Sequence, residues 1–301
     1  MVEIPELLAF RQLTYGGEEG RAFIAALPAR TARFLAEWDL RPAGPVMHGW
    51  AALVLPVERA DGTPAILKLQ ALTDETGGEP DALRAWDGDG AVRLLRADRE
   101  TGTLLLERLD PGRTLLDVAD VRDAVRIIAE LLARLTDRPA PPGMRNLGDI
   151  AARMLDEAPR ALALLTDARE RQLMLDCAAA LREVAGEPGD RLLHWDLHYE
   201  NVLGADREPW LAIDPKPLAG DPGFELLPAL RNRFEPADVL WRLDLMTEVL
   251  GLDRERAAAW SLGRVLQNTL WHIHDGERRL EEEQEAMARI LLARRPALRR
   301  R

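Results

Sequence analysis

Cysteine is all but missing from this chain. Cys177 stands alone among 301 residues, so no disulfide can close within the chain, and a zinc site built from several cysteines is excluded. Lysine is nearly as scarce: of 40 basic residues only Lys68 and Lys216 are lysines, and the other 38 are arginines. Arginine therefore fills the positions that merely need a positive charge. The two lysines mark places where a compact ammonium on a thin stem serves and a broad planar guanidinium does not. No apolar run approaches the ~18 residues that would cross a bilayer. The acidic opening, Met1 to Glu6, lacks the basic segment of a secretory signal, so a cytoplasmic protein without a membrane partner is expected. Positive charge is in deficit too, with a formal net charge of −11. That disfavours nucleic acid as a partner, since a phosphate backbone calls for basic patches. It leaves room for a cationic small molecule drawn in by long-range attraction.

What is present is a polar cluster between apolar flanks: Leu193-His194-Trp195-Asp196-Leu197-His198-Tyr199-Glu200-Asn201-Val202-Leu203. Counted from His194, the spacing is H-x-D-x-x-x-x-N, the pattern of a phosphotransfer catalytic loop. Beyond it, Gly204 to Pro209 reads as a turn between two short strands, and the second strand, Leu211-Ala212-Ile213, ends in Asp214. In such chemistry Asp196 would accept the proton of a substrate hydroxyl. Asn201 and Asp214 offer hard oxygens suited to Mg²⁺ on nucleotide phosphates. His194 fits a bracing role by hydrogen bonding, and His198 a structural one.

Upstream, residues 5–40 carry helical spacing in Leu7, Leu8, Phe10 and Leu13 and then in Phe23, Ile24, Leu27, Phe34, Leu35 and Trp38, with Pro28 expected to begin or kink a helix. From Pro45 the period changes to that of strands. Asp61-Gly62-Thr63-Pro64 forms a turn, and Ala65-Ile66-Leu67-Lys68-Leu69 returns as a strand whose lysine would hold the alpha and beta phosphates. His48 to Ala52 occupies the place of a phosphate-covering loop but has a single glycine and not G-x-G-x-x-G. Glu79 opens a helix with Pro80 at its start and is the preferred ion-pair partner of Lys68, with Glu75 as its rival. Two further strands flank Thr101-Gly102. After them, Glu107 to Gly112 lies where a kinase chain crosses between lobes and its backbone meets adenine. Leu115 to Ala185 and Ala237 to Arg295 read as mainly helical, the latter with Trp241, Trp260 and Trp271 embedded and a stop at Pro296.

A rival assignment uses some of the same residues. His194, Asp196 and His198 at alternate positions would project from one strand face and, with Asp214, could bind the metal of a hydrolase. It leaves Asn201, Lys68 and the N-terminal sheet without a part.

The Leu193 to Leu203 stretch and the run Ala212-Ile213-Asp214-Pro215-Lys216-Pro217-Leu218-Ala219-Gly220-Asp221-Pro222 resemble the aminoglycoside phosphotransferase family, most of all its streptomycin 6-kinase and hydroxyurea-kinase branch. Glu79 with Ala82-Leu83, and the run from Trp86 to Leu95, are similar to the same branch. The resemblance implies an α+β, protein-kinase-like two-lobed fold. Residues 1–108 would form an N-terminal lobe of leading helices and antiparallel sheet, and residues 109–301 a larger, mainly helical C-terminal lobe. It also implies ATP or GTP with Mg²⁺, and transfer of the gamma phosphate to the hydroxyl of a small molecule. Asp196 matches the family's catalytic aspartate, Asn201 and Asp214 its metal ligands, and Lys68 its nucleotide lysine. Glu79, Glu107 and Leu109 complete the nucleotide side. Many members have Gly where Trp195 stands and Asp where Glu225 stands. A guanidinium-bearing substrate of the streptomycin type would suit acidic residues, for which Glu200, Asp221, Glu225, Glu235 and Asp275 are the candidates; another small metabolite is the alternative.

Overall fold

The computed structural model describes residues 3–294. It divides into two compact units, Met1–Pro111 with Ala205–Pro209, and Gly112–Gly204 with Trp210–Arg301.

The first unit begins with two helices, α1 (Glu6–Tyr15) and α2 (Gly17–Glu37), followed by strands β1 (Leu40–Pro42), β2 (Met47–His48), β3 (Ala52–Arg59) and β4 (Pro64–Gln70). Helix α3 (Glu79–Trp86) precedes β5 (Leu94–Asp98) and β6 (Thr103–Glu107). The strands form a six-stranded antiparallel sheet in the order β1-β3-β4-β6-β5, with β2 on β3. Alternation decides which side chains enter the core. Leu53, Leu55 and Val57 of β3 and Ala65, Leu67 and Leu69 of β4 pack with Leu8, Phe23, Leu27 and Phe34 of the two helices. Lys68, between Leu67 and Leu69, is left on the other face, opposite Val54 and Leu104 in the register. The helix runs through Pro28 where a start or kink is expected. Phe23, Leu27 and Phe34 on both sides of the proline are buried on one core, which offsets the ~3 kcal/mol that an interior proline costs.

In the second unit, β7 (Asp110–Thr114), whose last residues belong here, is followed by helices α4 (Val121–Leu135), α5 (Leu147–Leu162) and α6 (Ala168–Val184). Each of these helices starts where a side-chain oxygen caps its first amides: Asp120, Asn146 and Asp167. Four short strands come next, β8 (Arg191–Leu193), β9 (Val202–Gly204), β10 (Leu211–Ala212) and β11 (Leu218–Gly220). They pair as β10-β9-β7 and β11-β8. Helices α7 (Leu226–Arg231), α8 (Val239–Leu250), α9 (Arg254–His274) and α10 (Glu282–Ala293) complete the unit. Trp260, Leu262, Val265, Leu266 and Leu270 put buried side chains around most of the circumference of α9, as a helix at the centre of a bundle requires. The expected stop at Pro296 and the terminal arginines lie outside the described residues.

Candidate active site

In the first unit the strand period builds the lysine site. Lys68 and Gln70, two positions apart on β4, share a sheet face. Glu79, in the first turn of α3, receives both: the Lys68 ammonium donates to Oε1 at 2.7 Å and Oε2 at 2.8 Å, and the Gln70 amide donates to Oε2 at 2.6 Å. The pair is sealed, with side-chain exposures of 6% for Lys68 and none for Glu79. Glu79 can therefore reach a ligand only through the lysine it orients. Glu75, the rival partner, is exposed. Glu107, at the end of β6, accepts from the guanidinium of Arg207 and from the backbone amide of Arg93. Arg207 also donates to the carbonyls of Gly88 and Ala91. Glu107 thus has its carboxylate engaged inside the unit, and the buried Leu109 follows it.

In the second unit, hydrogen bonds across an irregular backbone gather the central motif. Val202 pairs with Ala212 in the β9–β10 hairpin, and the amide of Ile213 donates to the carbonyl of Asn201 at 2.9 Å. That register brings Asn201 alongside the residue preceding Asp214. The Asn201 amide Nδ2 donates to the Asp196 carbonyl at 2.8 Å. His194 hydrogen-bonds through Nε2 to the Ile213 carbonyl at 3.0 Å, while its Nδ1 accepts from the Asp196 amide at 3.4 Å. The Lys216 amide returns to the His194 carbonyl at 3.0 Å, and the Lys216 ammonium lies 3.0 Å from Asp214 Oδ2. Asp196, Asn201, Asp214 and Lys216 are thereby one knit cluster.

Two residues in the segments that carry this cluster are left-handed, Trp195 at φ 69° and Asp214 at φ 57°. Such a conformation costs a residue with a Cβ about 1–2 kcal/mol, less for Asp, which tolerates it better than most. The sequence places no glycine at Trp195, and side-chain packing compensates. The indole is buried, and the guanidiniums of Arg145 and Arg264 lie over its ring at 4.2 and 4.8 Å. Its backbone is held from both ends: the Trp195 amide donates to Glu225 Oε1 at 2.7 Å, and Arg264 donates to the Trp195 carbonyl at 3.3 Å.

Burial dominates the electrostatics. It pushes the Asp196 carboxyl above the usual range, opposed by the charges of His198, Arg264 and Lys216 and assisted by Asp214. It pushes His194 down to about 3, so that imidazole is a neutral brace. It raises Glu225 to about 7, against the pull of the Trp195 amide and Arg264. A half-buried carboxylate with raised basicity beside two hard-oxygen side chains suits proton acceptance next to a divalent ion. The donor set fits such an ion. Asn201 commits its amide nitrogen to Asp196, which leaves Oδ1 as the ligand atom, and Asp214 already has a cation against Oδ2.

Several sequence-based expectations give way. Glu225 is fully buried and supports the loop backbone, so it is not a substrate-facing carboxylate. Asp221 caps the turn Pro222–Glu225 through the Gly223 amide and pairs with Arg256 at 2.6 Å, which occupies both of its oxygens. Glu200, Glu235 and Asp275 remain exposed. The metal-hydrolase alternative also fails. Both ring nitrogens of His194 are engaged by backbone, and no group of three or more His, Cys, Asp or Glu side chains is placed to hold a metal among the described residues.

The residues that sequence reasoning passed over are Gln70, Arg145, Arg207 and Arg264. Gln70 had a signal, since it shares the face of Lys68. The arginines had none, because in a chain with 38 of them no single one stands out.

Comparison with known proteins places the chain. The profile described as aminoglycoside/hydroxyurea antibiotic resistance kinase matches residues 37–276. A hydroxyurea phosphotransferase of Kitasatospora aureofaciens is 62% identical over 98% of this chain and 87% of its own length. A streptomycin 6-kinase of Streptomyces glaucescens is 54% identical over 97% of each. Among solved structures, a thermostable mutant of an aminoglycoside phosphotransferase in ternary complex with ADP and hygromycin B shares the fold, with a TM-score of 0.62 at 15% identity over 88% of this chain and 98% of that one. With more than half of its length matched and relatives of this similarity along nearly all of it, the chain belongs to the aminoglycoside/hydroxyurea antibiotic resistance kinase family.

Proposed function

We propose that this kinase transfers the gamma phosphate of ATP, or of GTP, to a hydroxyl of a small antibiotic of the streptomycin type, in the cytoplasm. The observation that supports it most is the knit cluster of Asp196, Asn201 and Asp214 in the order of a phosphotransfer loop. In this reading, residues 1–108 serve the nucleotide and residues 109–301 carry the chemistry and the substrate. Lys68, aimed by Glu79, holds the alpha and beta phosphates, and the backbone from Glu107 to Leu109 receives the base. Asn201 Oδ1 and Asp214 would hold Mg²⁺, which supplies neutralisation of phosphate charge. Asp196 accepts the hydroxyl proton as the oxygen attacks, and its raised basicity serves that step. Glu200, Glu235 and Asp275 are exposed carboxylates that would attract a cationic substrate. Hydroxyurea is the second reading, favoured by the 62% identity to a hydroxyurea phosphotransferase.

The test is product mass after incubation with Mg²⁺ and ATP or GTP against streptomycin, other aminoglycosides and hydroxyurea. One panel member should gain a single phosphoryl group. Asp196→Asn should lower the rate by about 10²–10⁴-fold while ADP affinity, measured by calorimetry, is unchanged. Absence of any phosphorylated product would defeat the substrate assignment, and an active Asp196→Asn enzyme would defeat the base.

A further inference from the structure

We infer that Lys216 is a catalytic residue of the reaction: its ammonium is held ready on Asp214 and passes to the oxygens of the phosphoryl group in transit. The inference rests on the phosphotransfer reading above.

Composition supplies the first observation. Arginine takes 38 of the 40 basic positions, and the two lysines that remain both face carboxylates of the proposed kinase set, Glu79 at 2.7 Å and Asp214 at 3.0 Å. The second is that the backbone of Lys216 is fixed on both sides. Its amide donates to the His194 carbonyl at 3.0 Å, and its carbonyl accepts from Arg145 at 2.8 Å, the same guanidinium that lies over Trp195. The fold thus spends a stacked arginine on the placement of this one residue. Third, Lys216 is tied to both halves of the cluster: its amide bonds the His194 carbonyl, two residues before Asp196, and its ammonium meets Asp214. Fourth, the pair is open, with side-chain exposures of 19% for Lys216 and 32% for Asp214. When Asp214 is taken by a divalent ion, the ammonium needs another anion, and the gamma phosphate is the one that arrives with that ion.

Lysine suits this exchange because its three donors rotate about a compact charge, whereas guanidinium favours a fixed bidentate contact. No proton leaves the lysine. The substrate oxygen forms the new bond to phosphorus, the bond from phosphorus to the bridging oxygen of the nucleoside diphosphate breaks, and the hydroxyl proton goes to Asp196. Lys216 donates hydrogen bonds to the non-bridging oxygens throughout.

The experiment compares the wild type with Lys216→Met and Lys216→Arg. Lys216→Met should lower kcat by about 10²–10³-fold, the range for loss of one charge-stabilising donor, with KM for the triphosphate raised by about tenfold, since slow chemistry brings KM to the dissociation constant. Lys216→Arg should recover only part of the rate. A separate binding readout uses ADP and a non-hydrolysable triphosphate analogue, each with Mg²⁺, in calorimetry. In Lys216→Met the affinity for the analogue should fall relative to that for ADP by about tenfold, the loss of a contact made only by the gamma phosphate. Equal loss for both nucleotides would overturn the inference and reduce Lys216 to a support for Asp214, as would a kcat within threefold of the wild type. Should the wild type phosphorylate no panel member, the substrate assignment fails by itself, and the ratio of the two affinities still decides for or against Lys216.

Discussion

Two lysine–carboxylate pairs are built here by opposite means. Lys68 and Glu79 come from regular elements, a central strand and the first turn of a helix, and their pair is closed to solvent, with 6% and 0% exposure. Lys216 and Asp214 come from an irregular segment with a left-handed residue, and their pair is open, with 19% and 32% exposure. Regular structure holds its side chains by the period of the backbone. The irregular segment has no period and must be held from outside, by Glu225 on the Trp195 amide, Arg264 on the Trp195 carbonyl and Arg145 on the Lys216 carbonyl. A closed pair makes a strut, and an open one can change partners.

That contrast can be broken experimentally. The largest effect is expected at the strut. Lys68→Met leaves Glu79 buried with Gln70 still donating to it, and loss of one partner of a buried pair costs about 3–5 kcal/mol. The double variant Lys68→Met with Glu79→Leu should regain much of this stability in urea unfolding, because an apolar pair carries no buried charge. A double variant no more stable than the single one would show that the charge left buried on Glu79 is not what destabilises Lys68→Met.

On the irregular side, Trp195→Gly relieves left-handed strain of about 1 kcal/mol and removes a buried indole worth about 3–5 kcal/mol, a net loss of about 2–4 kcal/mol. Thermal denaturation should show a lower Tm. A higher Tm would mean that the ring contacts with Arg145 and Arg264 do not compensate the backbone.

The smallest effect is a dependence on pH. Burial holds Glu225 at about 7, above its ordinary 4.5, so the folded chain binds that proton more tightly than the unfolded chain. Its contribution to stability is complete below the unfolded value and is lost as pH rises through about 7. Relative to Glu225→Gln, which does not titrate, the wild type should therefore lose Tm as pH is raised across that window. A constant difference would place the Glu225 carboxyl in its ordinary range.

The α+β fold was legible because the period changes are clear. Alternation around Lys68 and helical spacing from Val121 to Leu135 both survive in the structure, where Asp120 and Asp167 add caps that the sequence reading did not name. Substrate-side carboxylates were harder to read. Asp221 and Glu225 look the same in sequence as Glu200 and Glu235, and only the chain packed around them shows that the first pair is consumed internally. Arginine was the least legible residue. Arg145, Arg207 and Arg264 do work that depends on which carbonyls and rings surround them.

By itself the sequence determined the side chains on offer: the carboxylates of Asp196 and Asp214, the amide of Asn201, and two lysines kept where arginine was otherwise the rule. Such information is local, since spacing along a strand, a turn or a helix cap settles it within a few residues. The tertiary structure alone decided which charges are spent inside the protein and which are left to act. Glu225 holds Trp195, Asp221 holds Arg256, Glu107 holds Arg207, and Lys216 rests on Asp214 in an open pair. The reason is physical: a charge's partner and its exposure are set by segments distant in sequence, and burial shifts basicity far more than any neighbour along the chain.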